Sequence, residues 1–207
     1  MEWWDLTTVD HHQFSRGVFM VQQCDAETLQ ALLAQLESGE DAGVRTLNVL
    51  TTRFPSDARL LFLRGSTLAG RGDLNGARQD MTAALALEPD YAILRYQLGF
   101  LEYTSGKVPE AETIWQAFDA LEAGHTFRVL RDGWLALARD DVPLAVRLLS
   151  EGRDRMSEFP PIARDVSLAL SRLNEIQNKA SQEDDGAAGG EDDTHLLISG
   201  YTTKRRH

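Results

Sequence analysis

The sequence predicts an all-α protein: an α-solenoid of about four helical hairpins, closed by a C-terminal capping helix and followed by a disordered tail. Two observations lead there. Glycine or alanine returns at fixed places in a 34-residue period. Runs rich in alanine and leucine, which favour helix, are cut by glycine and proline at places that period also predicts. The stretch GDLNGARQDMTAALALEPDY, residues 72–91, contains both features: it opens on Gly72 and is stopped by Pro89.

The register follows from placing Pro89 at position 32 of a unit that starts at Ala58. Position 8 is then Gly65, position 20 is Ala77, position 24 is Met81 and position 27 is Ala84. One period on, positions 8 and 20 are Gly99 and Ala111; two periods on, they are Gly133 and Ala145. One period back, Pro55 takes position 32, Ala31 position 8 and Gly43 position 20. The units are 24–57, 58–91, 92–125 and 126–159. Small residues at positions 8 and 20 let two helices of a hairpin approach where a larger side chain would hold them apart. Gly72 and Gly106, at position 15, fall between the helices, where a residue of positive φ ends the first one. Pro55 and Pro89 end the second, because proline lacks an N–H and restricts the residue before it. Gly43, inside a second helix, is expected to weaken it by about 1 kcal/mol.

These residues resemble the tetratricopeptide repeat (TPR) family over residues 24–159. Gly65, Ala77, Met81, Ala84 and Pro89 carry the best unit; Gly99, Ala111 and Trp115, then Gly133, Ala145 and Leu149, carry the next two. The sequence departs from the family at position 7, which reads Arg64, Leu98 and Asp132 in these units, and at Arg95 and Glu102 of the third unit. The last unit has Ser157 where proline is expected, with Pro160 and Pro161 after it.

Residues 162–178 place Ile162, Val166, Leu170 and Leu173 on one helical face, as a capping helix over the last hairpin requires. The residues from 179 to 207 read as a disordered acidic tail, because its first part holds almost nothing apolar to offset the entropy of ordering. Its end, with Leu196, Leu197, Ile198 and Tyr201 before Lys204, Arg205 and Arg206, reads either as a ragged terminus or as a short docking motif. Residues 1–23 carry Trp3, Trp4, Phe14, Val18 and Phe19, which are expected to pack on the first repeat, with homo-oligomerisation as the alternative.

Composition limits the function classes. With 21 Lys and Arg against 32 Asp and Glu, the net charge of −11 argues against nucleic acid as a partner. The lone Cys24 leaves no intrachain disulfide, no run is long and apolar enough to span a membrane, and the opening residues lack the pattern of a signal peptide. The expected location is the cytoplasm. His11 and His12 lack the carboxylate or thiolate company of a metal site, so no metal and no cofactor is expected. The glycines of GSTLAGRG, residues 65–72, follow no strand and lack the lysine of a phosphate loop. No nucleophile, base or paired-carboxylate cleft emerges, so the expectation is a protein without enzymatic activity.

The resemblance implies a site. In the family, positions 2, 5, 9 and 12 of the first helix face a concave groove. Here they give Asp25, Thr28, Leu32 and Gln35; then Arg59, Phe62, Ser66 and Ala69; then Ile93, Tyr96, Phe100 and Tyr103; then Phe127, Leu130, Trp134 and Leu137. Arg59, Phe62, Ile93, Tyr96, Phe100, Tyr103, Phe127, Leu130 and Trp134 are the expected partner contacts, since aromatic side chains dominate recognition. The alternative is that this column is core, or is covered by another part of the chain. The carboxylate clamp of some co-chaperones is disfavoured, because only Arg131 matches among Phe62, Ser66, Gln97, Phe127 and Arg131. The expected function is a scaffold or adaptor that binds an apolar or amphipathic protein segment. The alternative is a small acidic TPR chaperone of a bacterial secretion system; an enzyme of unknown class comes last.

Overall fold

The structure is a computed structural model that describes residues 23–38, 41–156 and 159–184. Among these residues lie nine α-helices and no strand: α1 (Ala26–Glu37), α2 (Asp41–Arg53), α3 (Ala58–Gly70), α4 (Leu74–Leu87), α5 (Ala92–Thr104), α6 (Val108–Trp115), α7 (Thr126–Ala138), α8 (Val142–Asp154) and α9 (Pro160–Asp184). A 3-10 helix, Gln116–Ala120, extends α6. The expected N-terminal packing segment, up to residue 22, and the tail from 185 with its terminal motif lie outside the described residues. The chain forms two compact units, divided within α5 between Leu98 and Gly99.

Side chains preceding the helices fix several of the starts. Asp25 accepts from Thr28 N at 2.8 Å, Asp73 from Gly76 N at 2.9 Å and Asp141 from Leu144 N at 3.1 Å, so each satisfies an N–H that the helix itself leaves open. The stops recur with the period. Gly72 has φ 88°, Gly106 has φ 77° and Asp140 has φ 61°. Each is followed by the same pair of bonds. Gly72 N donates to Ala69 O and Asp73 N to Leu68 O; Gly106 N to Tyr103 O and Lys107 N to Glu102 O; Asp140 N to Leu137 O and Asp141 N to Ala136 O. This left-handed closure satisfies carbonyls at the end of the preceding helix. In the last turn an aspartate occupies the place held elsewhere by glycine.

In the N-terminal unit, α1 packs on α2, α2 on α3 and α3 on α4. A methyl group built on Gly65 of α3 would lie 2.8 Å from Met81 Cγ and 3.1 Å from the Ala77 carbonyl oxygen on α4. One on Gly76 would lie 3.0 Å from Leu68 Cδ1, so α3 and α4 run antiparallel. Arg64, which departs from the family at position 7, forks both guanidinium arms onto the buried Asp80 of α4. Arg95 donates to the Pro89 carbonyl at 2.6 Å and ties the start of α5 to the end of α4. The first hairpin closes differently. Ala31 is exposed, and the close approach falls at Gly43, where an added methyl would lie 2.8 Å from the Gln35 carbonyl carbon. Gly43 is therefore a backbone contact as well as a poor helix former.

In the C-terminal unit, an added methyl on Gly99 would overlap the Trp115 indole of α6. One on Gly133 of α7 would meet Leu149 Cγ of α8 at 2.9 Å, and Gly152 of α8 abuts Leu130 of α7 in the same way. Ala111 and Ala145 are fully buried, as are Ala77 and Ala84 in the N-terminal unit. α6 turns 3-10 after Trp115, and Phe118 is buried at the place where the second unit has Ala84. Three arginines hold the chain between that 3-10 helix and α7: Arg128 donates to the Leu121 carbonyl, Arg131 to Asp119 and Arg155 to the Gly124 carbonyl. α9 packs on α8 and buries Ile162, Val166, Leu170 and Leu173. It continues six residues past the boundary at 178, to Asp184, so the start of the expected disordered tail is helical. No proline or glycine interrupts residues 179–184, and Gly186 is the first breaker.

Asp140→Gly is expected to stabilise the C-terminal unit by about 0.5–1 kcal/mol, because it relieves a left-handed β-carbon. Urea denaturation of the variant measures this; a lower midpoint would contradict it.

Candidate functional site

The column expected to face a partner is mostly buried. Phe62 and Tyr96 are each 1% exposed and Ile93 8% in the N-terminal unit. Tyr103, Phe127, Leu130 and Trp134 are buried in the C-terminal unit. Only Arg59 and Phe100 among the nine expected contacts are half-buried. The rings among them engage partners within their own unit. Phe62 meets Tyr91 edge-on at 5.8 Å. Trp134 lies 5.0 Å from Phe100 and 5.5 Å from Tyr103, and Tyr103 lies 6.1 Å from Trp115. Phe127 stacks on Phe118 at 5.9 Å and lies 6.4 Å from Phe159. α7 buries most of its circumference, from Phe127 to Leu137, and leaves Arg128 and Asp132 half-buried on its remaining side. Area and aromatic character marked these residues equally well for a core and for a groove, and the structure uses them as core.

Arg59 is half-buried and takes a different part from the one expected. Its side chain bonds to Asp57, which is fully buried, with Nε at 3.0 Å and Nη2 at 2.7 Å. Nη2 also donates to the Cys24 carbonyl at 2.7 Å, and Asp57 accepts from Cys24 N at 2.9 Å. The pair thus holds both polar groups of one residue just ahead of α1. Burial pushes the Asp57 carboxyl upward, but hydrogen bonds from Arg59 and Cys24 outweigh it, and the group titrates below its ordinary range. Burial and the neighbouring Asp25 and Asp57 push the Cys24 thiol up, which favours the unreactive protonated form.

Arg131, the one match to a carboxylate clamp, is also committed. It is buried and pairs with Asp119 at 2.6 Å and Asp132 at 2.7 Å. Sequence reasoning missed the three structural ion pairs Asp57–Arg59, Arg64–Asp80 and Arg131–Asp119. Their signals were the aspartate two residues before Arg59 at a helix start, and a charge of each sign at apolar positions of one hairpin. Among the described residues no group of three or more His, Cys, Asp or Glu could hold a metal, and no helix is long and apolar enough to cross a membrane.

Stability should follow the Asp57 charge. Because the folded carboxyl titrates below the unfolded one, its contribution is present above about pH 4 and is lost as pH falls through the folded value. Denaturation of wild type and Asp57→Asn between pH 7 and pH 3 should give a stability gap that narrows below about pH 4. A gap constant across that range would contradict the assignment.

No protein-family model matches the chain, and no curated protein is similar to it.

Proposed function

We propose that the chain is a TPR-like helical-repeat adaptor of the cytoplasm that takes up an apolar or amphipathic segment of a partner protein and performs no chemistry of its own. The observation that carries this reading is the recurrence at intervals of 34 residues. The same closure stands at 72, 106 and 140, and the same close approach at 65, 99 and 133. Such repetition builds modules whose surfaces recognise other chains. Its buried charges are spent on holding elements together, and its thiol is held unreactive.

The burial of the expected column changes which residues this reading rests on. Tyr96 and Trp134 support the fold from within. Of the positions read from the repeats, Asp25 and Gln35 are exposed and Thr28, Arg59, Ser66, Ala69 and Phe100 are half-buried, and Phe100 is the large apolar residue among them. Phe100 combines a large apolar face with partial exposure, which suits a recognition anchor.

The test begins with affinity capture by the full chain and mapping of the captured protein to a segment. Calorimetry then compares that segment on wild type and on Phe100→Ala. Binding should weaken by roughly 1–2 kcal/mol, about tenfold or more, with helicity retained. Equal affinity for both would overturn Phe100 as an anchor, and turnover of a captured small molecule by the purified protein would overturn the adaptor reading.

A further inference from the structure

We infer that the α1–α2 hairpin is a separable flap on α3, held shut by the grip of Asp57 and Arg59 on Cys24. α1 packs on α2 and α2 on α3, and besides this apolar contact the hairpin is tied to the rest of its unit by the buried clasp and by the exposed pair of Asp41 with Arg71 at 3.0 Å, which solvent screens. The clasp takes the N–H of Cys24 on the Asp57 carboxylate at 2.9 Å and its carbonyl on Arg59 Nη2 at 2.7 Å. Both gripping residues sit at the start of α3, after the break at Pro55.

The clasp has no stable half-open form. Asp57 is fully buried and the Arg59 side chain is 13% exposed. Withdrawing Cys24 while the hairpin stays in place would leave these groups short of partners in a dry site, which is costly. If the hairpin leaves as a body, water replaces the lost bonds. The clasp therefore favours two states, shut and open, over a gradual loosening. Opening uncovers Leu60 and Leu63 of α3, which now share one apolar cluster with Leu29, Leu32, Leu47 and Leu50. The fold thus carries a device that can hide or present an apolar face of α3. This inference stands apart from the adaptor reading, since it concerns motion within one unit.

Native-state hydrogen exchange of the full chain, read by mass spectrometry across sub-denaturing urea, tests it. In the wild type, amides of residues 26–53 should exchange through an opening with a smaller urea dependence than those of 58–87. In Asp57→Ser/Arg59→Leu, where serine keeps a helix cap but cannot reach Cys24, exchange in 26–53 should rise about tenfold or more, with 58–87 within about twofold. One shared urea dependence in the wild type, or an equal rise in both segments of the variant, would overturn the flap. Where the variant does not fold, the wild-type comparison decides by itself.

Discussion

Each of three hairpins closes where a glycine on the first helix meets a bulky side chain sixteen residues later on the second: Gly65 and Met81, Gly99 and Trp115, Gly133 and Leu149. The glycine removes the β-carbon that would hold the helices apart, and the larger partner fills the space so gained. Much else follows from this contact. It places Ala77, Ala111 and Ala145 in fully buried positions on the second helices. It also requires short, sharp turns, which Gly72, Gly106 and Asp140 supply through one left-handed residue each. The first hairpin solves the same problem with Gly43 against the backbone of α1, on the opposite helix.

Charged residues inside this frame act as fasteners. Arg64 and Asp80 join the two helices of one hairpin, Arg131 joins α7 to the 3-10 helix before it, and Asp57 with Arg59 joins the start of α3 to the residue ahead of α1. Their net contribution is limited by the cost of taking charge out of water, but removing one partner is expensive. The guanidinium groups tied up in this way are committed within the chain, and the half-buried Phe100 ring lies 5.0 Å from that of Trp134.

The helical class, the turns at Gly72 and Gly106, the helix stop near Pro89 and the buried face of α9 from Ile162 to Leu173 were legible in the sequence because they depend on local chemistry. The close approaches at Gly65, Gly99 and Gly133 were legible from their interval alone. The site was much less so. An aromatic column such as Tyr96, Tyr103, Phe127 and Trp134 looks the same whether solvent, a partner or the protein's own helices lie over it, and only the three-dimensional packing separates these cases. The bonds of Arg59 to Asp57 and Cys24 were not legible, because a repeat position indicates where a residue stands on a helix, whereas its partners are set by the tertiary fold. The Asp140–Asp141 pair was legible as the turn of the last unit, but the left-handed φ of Asp140 and the 3-10 continuation of α6 were not, because neither carries a glycine or proline signal of its own.

Nuclear Overhauser contacts in solution test the recurrence of one close approach most directly. The α-protons of Gly65, Gly99 and Gly133 should show contacts to the Met81 side chain, the Trp115 indole and the Leu149 methyls respectively. All three present in one folded sample is the predicted result. Their absence while the helices persist would contradict the repeated hairpin and the adaptor reading built upon it.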